Sequence, residues 1–256
     1  MKKFLILACL ILSLSGCATI RSGISDFNSA IGGMGRPVVV EPAPRPVFTP
    51  SIGMSPSLQF SVFYSSYFFL GGYGFGDDNF KEGQGITWTI QGSDSDGEFE
   101  VTRALLKTLD DGSQWWLLLA KSDGEENSYE MLLDGNGTVL KFRYLNPDTG
   151  KPAEYVPKQG ESSGQTGETM TPDSYRDYVR NEESVKTRAG SFKTQHLVFE
   201  GKDEENQVQF RYEYWISDSV PGRCVKYRYE NTGEKDYFGG EVSDVRGGYK
   251  TRLDSY

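Results

Sequence analysis

The chain of 256 residues contains one histidine, His196, and only three cysteines, Cys9, Cys17 and Cys224. So few imidazoles and thiols leave too small a ligand set for a zinc site, which draws on several of them. No metal or cofactor is expected. Basic residues are also short, 27 against 36 acidic, for a net charge of −9. Phosphate backbones are bound by clustered Lys and Arg, so nucleic acid is excluded as a partner. Catalytic motifs are missing too. There is no Gly-x-Ser-x-Gly element, and His196, followed by Leu197, Val198 and Phe199, reads as a hydrogen-bonded strand residue. Gly72-Tyr73-Gly74-Phe75-Gly76 has no apolar strand before it and Asp77 and Asp78 after it, which makes it a loop, not a phosphate cradle. Asp94-Ser95-Asp96-Gly97 and Asp134-Gly135-Asn136-Gly137 lack the downstream bidentate Glu of a calcium loop and read as turns. Nothing here argues for an enzyme.

What is present at the N-terminus is specific. Lys2 and Lys3 precede an apolar run from Phe4 to Leu12, too short for the ~20 residues of a membrane span. Such a run reads as a removable export signal. Leu14-Ser15-Gly16-Cys17 follows and matches the lipobox of bacterial lipoproteins. Small residues admit the scissile bond to the peptidase, and the Cys17 thiol takes the diacylglycerol. Residues 1–16 are thus a signal peptide, and Cys17 is the acylated (palmitate-type) first residue of the mature chain. Two or more acyl chains give durable anchoring. Ala18 follows Cys17, not the Asp associated with inner-membrane retention. The expected location is the outer membrane, facing the periplasm, where the host has two membranes. With Lys2 and Lys3 removed the net charge becomes −11. Cys224 then has no intramolecular partner and is expected to be a buried strand residue.

Residues 17–57 form a tether rich in Pro, Gly and Ser. Six of the eleven prolines lie between Pro37 and Pro56. Extended at about 3.1 Å per residue, residues 36–56 reach on the order of 60 Å. A folded domain is expected over 58–250, with 251–256 as a frayed tail. Phe60, Phe63, Tyr64, Tyr67 and Phe68 recur at helical spacing, so 57–70 reads as an amphipathic helix, with a strand as the alternative. Asp-Gly and Asn-Gly turns then separate strands at 85–91, 98–109, 114–121, 128–133 and 138–144. Trp115 to Ala120 is apolar without alternation, so both of its faces must be covered, by a helix on one side and by a second sheet, sheet curvature or a ligand on the other. Residues 146–170 read as loop. Thr171 caps a short helix with Pro172 at its first position, and strands follow at 184–187, 191–200, 207–216, 224–229 and 237–245.

Within that second group, Val185-Lys186-Thr187-x-Ala189-Gly190-x-Phe192-Lys193-Thr194, Tyr214-Trp215-Ile216-Ser217, Val220-Pro221-Gly222 and Val225-Lys226-Tyr227 form a pattern over residues 184–230. It resembles the C-terminal half of periplasmic domain families whose curved sheets are similar to the half-barrels of the lipoprotein carrier and receptor of the Lol system. The expected fold class is α+β, mostly β: a curved antiparallel sheet or incomplete barrel of about nine or ten strands with one or two helices packed on it. The leading expectation for function is a membrane-anchored, non-enzymatic binding domain for lipid, lipoprotein or an envelope partner, with Phe60, Tyr64, Tyr67, Trp88, Trp115 and Trp116 as ligand-contact candidates. The alternatives are a structural or assembly lipoprotein with a filled core and, third, a hydrolase built on paired carboxylates or His196.

Overall fold

The structure is a computed structural model; it describes residues 75–93, 99–122, 124–146, 148–158, 170–203, 208–231 and 236–256. Residues 1–57, where a signal peptide and a tether are expected, and the aromatic segment 57–70, with Phe60, Tyr64 and Tyr67, lie outside the described residues.

Eleven strands form one antiparallel sheet. The first six are β1 (Gly85–Gly92), β2 (Phe99–Thr108), β3 (Gln114–Ser122), β4 (Glu125–Leu133), β5 (Val139–Leu145) and β6 (Pro152–Tyr155). A single-turn helix α1 (Pro172–Tyr175) and a 3-10 turn at Arg176–Tyr178 follow. The last five are β7 (Val179–Thr187), β8 (Gly190–Asp203), β9 (Val208–Ile216), β10 (Cys224–Asn231) and β11 (Asp236–Arg246). Each group is a meander, and the two are joined where β11 pairs with β1, giving the order β6-β5-β4-β3-β2-β1-β11-β10-β9-β8-β7. The sheet is open, with β6 and β7 as its edges.

The expected curved, mostly β fold is what forms, with one strand more than anticipated. The extra strand, β6, falls in 146–170, where Pro147, Pro152 and Pro157 gave the look of loop. Proline is tolerated at the start of an edge strand because no ladder partner needs its missing N–H. β7 also begins five residues before the expected Ser184. Its run Arg180-Asn181-Glu182-Glu183 is exposed and polar on both faces, so no period-2 signal marks it.

Alternation sorts the side chains onto two faces. Ile86, Trp88, Ile90, Val101, Leu105, Trp116, Leu118, Tyr129, Met131 and Phe142 share the inner core with Leu197, Tyr214, Ile216, Val225, Tyr227 and Val242 from the second meander. β8 pairs with β9 only from Gln195 onward, so the β7–β8 hairpin runs past the end of β9. Its turn returns to β11, where the Ala189 N–H donates to the Val242 carbonyl at 3.5 Å. Val185, Ala189 and Phe192 pack against the inner core from there. The capping box of α1 is complete, Thr171 and Ser174 each accepting from the other's backbone N–H. It turns Tyr175 into the same core, edge-on to Phe75 with ring centroids 6.2 Å apart.

The outer face of β2–β4 carries Ala104, Leu106, Trp115, Leu117, Leu119 and Leu132, packed with Tyr249. Both faces of Trp115–Ala120 are therefore covered, and among the described residues the outer cover is the chain's own C-terminal segment. The expectation of a frayed 251–256 fails for a physical reason. Glu130, 0% exposed on β4, accepts from the Thr251 hydroxyl at 2.9 Å and the Arg252 N–H at 2.7 Å. Arg143 donates to the Ser255 carbonyl at 2.9 Å while its guanidinium lies 3.8 Å from the centre of the Trp115 ring. Leu253 is buried. A polar-looking tail is thus tied to buried charges that a sequence does not display. Gly85 makes room for this arrangement: a Cβ there would sit 2.5 Å from the Tyr249 ring.

Candidate binding cleft

The inner core is filled at its centre. Trp88 and Trp116 are at most 1% exposed, and the segment before β1 inserts Phe75 and Phe80 above them. Phe80 meets Trp116 edge-to-face with centroids 4.9 Å apart. The Arg103 guanidinium is buried in the same place, 5.1 Å from the Phe80 ring centre and 5.6 Å from that of Trp116, and it reaches Asp77 at 2.6 Å. Trp88 donates its indole N–H to the Cys224 carbonyl at 3.1 Å. The Cys224 thiol is fully buried beside them, and loss of solvent pushes its pKa up to about 12.

The segment carrying Phe75 and Phe80 is fastened to the β9–β10 turn. Asn79 donates to the Val220 carbonyl at 2.7 Å and accepts from the Gly222 N–H at 2.8 Å. Gly222 has φ +70°, and its neighbour Arg223 adopts φ 60°, a left-handed conformation that costs a non-glycine residue roughly 1–2 kcal/mol. Arg223 is held there by its guanidinium, which donates to Asp78 at 2.5 and 2.9 Å, to Asp218 at 2.9 Å and to the Phe75 carbonyl at 2.8 Å. The hydrogen bond from Arg223 holds the Asp78 carboxyl below the usual carboxylate range.

Beside this clamp lies a cleft of about 600 Å³. Its walls are α1 through Tyr175, the β7–β8 hairpin through Glu182–Ser184 and Lys193–Gln195, and the β9–β10 turn through Ile216–Ser219 and Arg223. Most of the lining side chains are polar and carry both signs of charge, with Tyr175 and Ile216 supplying apolar surface between them. Its acids are Glu182, Glu183 and Asp218, and its cations are Lys193 and Arg223. Burial raises the Tyr175 pKa, and the Asp218 charge adds to the effect.

Glu183 also anchors the hairpin from behind. It accepts from the Trp215 indole N–H at 2.6 Å and lies 3.6 Å from His196 Nδ1. The His196 ring stacks on Trp215 with centroids 4.4 Å apart, and its Nε2 meets Glu213 at 3.0 Å. His196 is thus a hydrogen-bonded strand residue, as expected, with its ring stacked on Trp215. It does not line the cleft.

Of the expected ligand contacts, Trp88 and Trp116 come together in the filled inner core, while Trp115 faces the opposite side beneath Arg143. None of the three lines the cleft. Sequence reasoning missed the cleft because the residues that line it are ordinary surface types brought together by the overhanging hairpin. The one available signal was Val220-Pro221-Gly222, a turn chemistry that places Arg223. Among the described residues no group of three His, Cys, Asp or Glu side chains is placed to hold a metal ion, and no helix is long and apolar enough to cross a membrane.

No protein-family model matches the chain, and no curated protein matches its sequence. Solved structures of similar shape exist. A chain of the Pseudomonas aeruginosa MucA/MucB complex is 13% identical over 70% of this chain and 56% of its own length, at a TM-score of 0.42. This chain therefore spans little more than half of that protein. A DUF1329 family protein from Desulfovibrio piger is 11% identical over 68% of this chain and 90% of its own, at 0.32. The hypothetical lipoprotein YmcC from Escherichia coli is 9% identical over 75% of this chain and 97% of its own, at 0.28. At such TM-scores the likenesses carry no argument about activity, ligand or partner.

Proposed function

We propose that this chain is an exported, membrane-anchored lipoprotein whose sheet domain binds an envelope partner without catalysing a reaction. The anchor is the acylated Cys17 that the Leu14-Ser15-Gly16-Cys17 motif implies, at the outer membrane in a host that has two. The observation that carries the binding reading is the division of labour between core and cleft. The aromatic interior is occupied by Phe75, Phe80 and Tyr175, whereas the cleft found among the described residues is charged on two of its three walls. Apolar ligands enter pockets lined mainly by apolar side chains. The lining of this cleft suits a polar partner such as a protein segment better than an acyl chain.

Native mass spectrometry of the full chain extracted from membranes tests this reading. The expected species begins at Cys17, carries the mass of its acyl chains and holds no further lipid. A mature chain that starts elsewhere, or that retains a stoichiometric lipid after the Cys17 acyl mass is subtracted, contradicts it.

A further inference from the structure

The two edges of the sheet are treated differently. β6 is four residues long and begins with Pro152, the usual way of blunting an edge against pairing with other chains. β7 is nine residues long, contains no proline, and is exposed from Arg180 to Ser184. It is the last strand in the order, so among the described residues one side of its backbone faces no neighbour. It is nevertheless held from behind, by its pairing with β8 and through Glu183 on Trp215 and His196. An ordered strand of this length is a preformed template for an added strand, and preorganisation lowers the ordering cost of binding.

We propose that the free edge of β7 receives an extended, basic peptide segment as a twelfth strand, its side chains entering the adjoining cleft. This rests on the binding reading above and names the partner's chemistry. Charge selects the occupant. In the cleft Arg223 and Asp218 pair with each other, and Asp78 takes the rest of the guanidinium, which leaves Glu182 and Glu183 against Lys193 and a negative balance. Glu182 projects from the exposed strand without an ion pair among the described residues. A second copy of the chain is the competing occupant, and the test below separates it from a peptide by its dependence on protein concentration.

The test uses the full chain in detergent and a fluorescently labelled peptide alternating Lys and Thr over nine residues, the length of β7. Three comparisons read the mechanism: a Glu/Thr peptide, a Lys/Thr peptide N-methylated at alternate residues, and the variant Glu182→Lys. The expected result is binding of the Lys/Thr peptide with slowed amide exchange confined to 179–187. N-methylation removes backbone donors without changing charge or the protein, and it should weaken binding at least about tenfold. Glu182→Lys should weaken it several-fold. Equal affinity for the N-methylated peptide reduces the contact to charge alone and overturns the proposal. So does preference for the Glu/Thr peptide, or protection of β7 that rises with protein concentration in the absence of peptide. A negative result here leaves the membrane-anchored binding reading standing if native mass spectrometry supports it.

Discussion

Replacing Glu130 with Ala should release the C-terminal segment and lower the stability of the domain by about 3 kcal/mol. Glu130 is 0% exposed, and its carboxylate accepts from the Thr251 hydroxyl and the Arg252 N–H while lying 3.9 Å from Arg143. A hydrogen bond to a charged acceptor contributes roughly 1.5–3 kcal/mol, and removing one partner of a buried ion pair costs roughly 3–5 kcal/mol. Arg143 retains Glu154 at 3.2 Å, so its charge is not stranded and the lower end applies. At about 2–4 °C per kcal/mol for a domain of this size, the melting temperature should fall by about 6–12 °C. Thermal unfolding followed by circular dichroism measures the loss, and hydrogen exchange over 247–256 locates it. A fall of less than about 2 °C, with the tail amides as protected as before, would refute the claim that this carboxylate holds the tail.

Two further predictions concern the Asp78–Arg223 clamp and the Cys224 thiol. Asp78 titrates below its ordinary value in the folded protein because Arg223 donates to it, so its contribution is present above the unfolded carboxylate pKa and is lost as pH falls through the folded one. Unfolding midpoints of the wild type should therefore drop on acidification below about pH 4, more steeply than those of Asp78→Asn, and the difference should shrink in high salt because Asp78 is largely exposed. If the two proteins follow parallel pH curves, the clamp contributes nothing. Cys224, with its thiol pushed up to about 12, should resist iodoacetamide at pH 8 until denaturant is added. Alkylation of the folded protein at the rate of a free thiol would show that the inner core opens.

How much of this was legible beforehand follows from where each signal resides. The hairpins of the first meander were readable because their turns carry Asp-Gly and Asn-Gly and their strands are apolar. Thr171 and Pro172 likewise announced α1, since capping chemistry is local. β7 was only partly readable: an edge strand with Arg180, Glu182 and Glu183 exposed has no buried face to impose alternation. The pairing of β11 with β1, which makes two meanders one sheet, joins residues more than 140 positions apart and leaves no trace in either strand alone. The cleft was the least visible feature. It depends on β8 outrunning β9, and on Arg223 holding a left-handed turn against Asp78, a partner 145 residues away. Trp115 and Trp116 show the opposite case. Both were flagged as prominent aromatics, and alternation sends them to different faces, each committed to packing.

The cleft between the β7–β8 hairpin and the β9–β10 turn is where the proposed membrane-tethered domain would hold an envelope partner. A photo-crosslinking amino acid at Ser219, in that cleft, compared with one at exposed Leu140 on β5, tests it in living cells. The expected outcome is a discrete cross-linked species from Ser219, absent from Leu140 and diminished by Glu182→Lys. Cross-links of equal yield from both positions, or none from Ser219 while the protein is folded and membrane-bound, would contradict it.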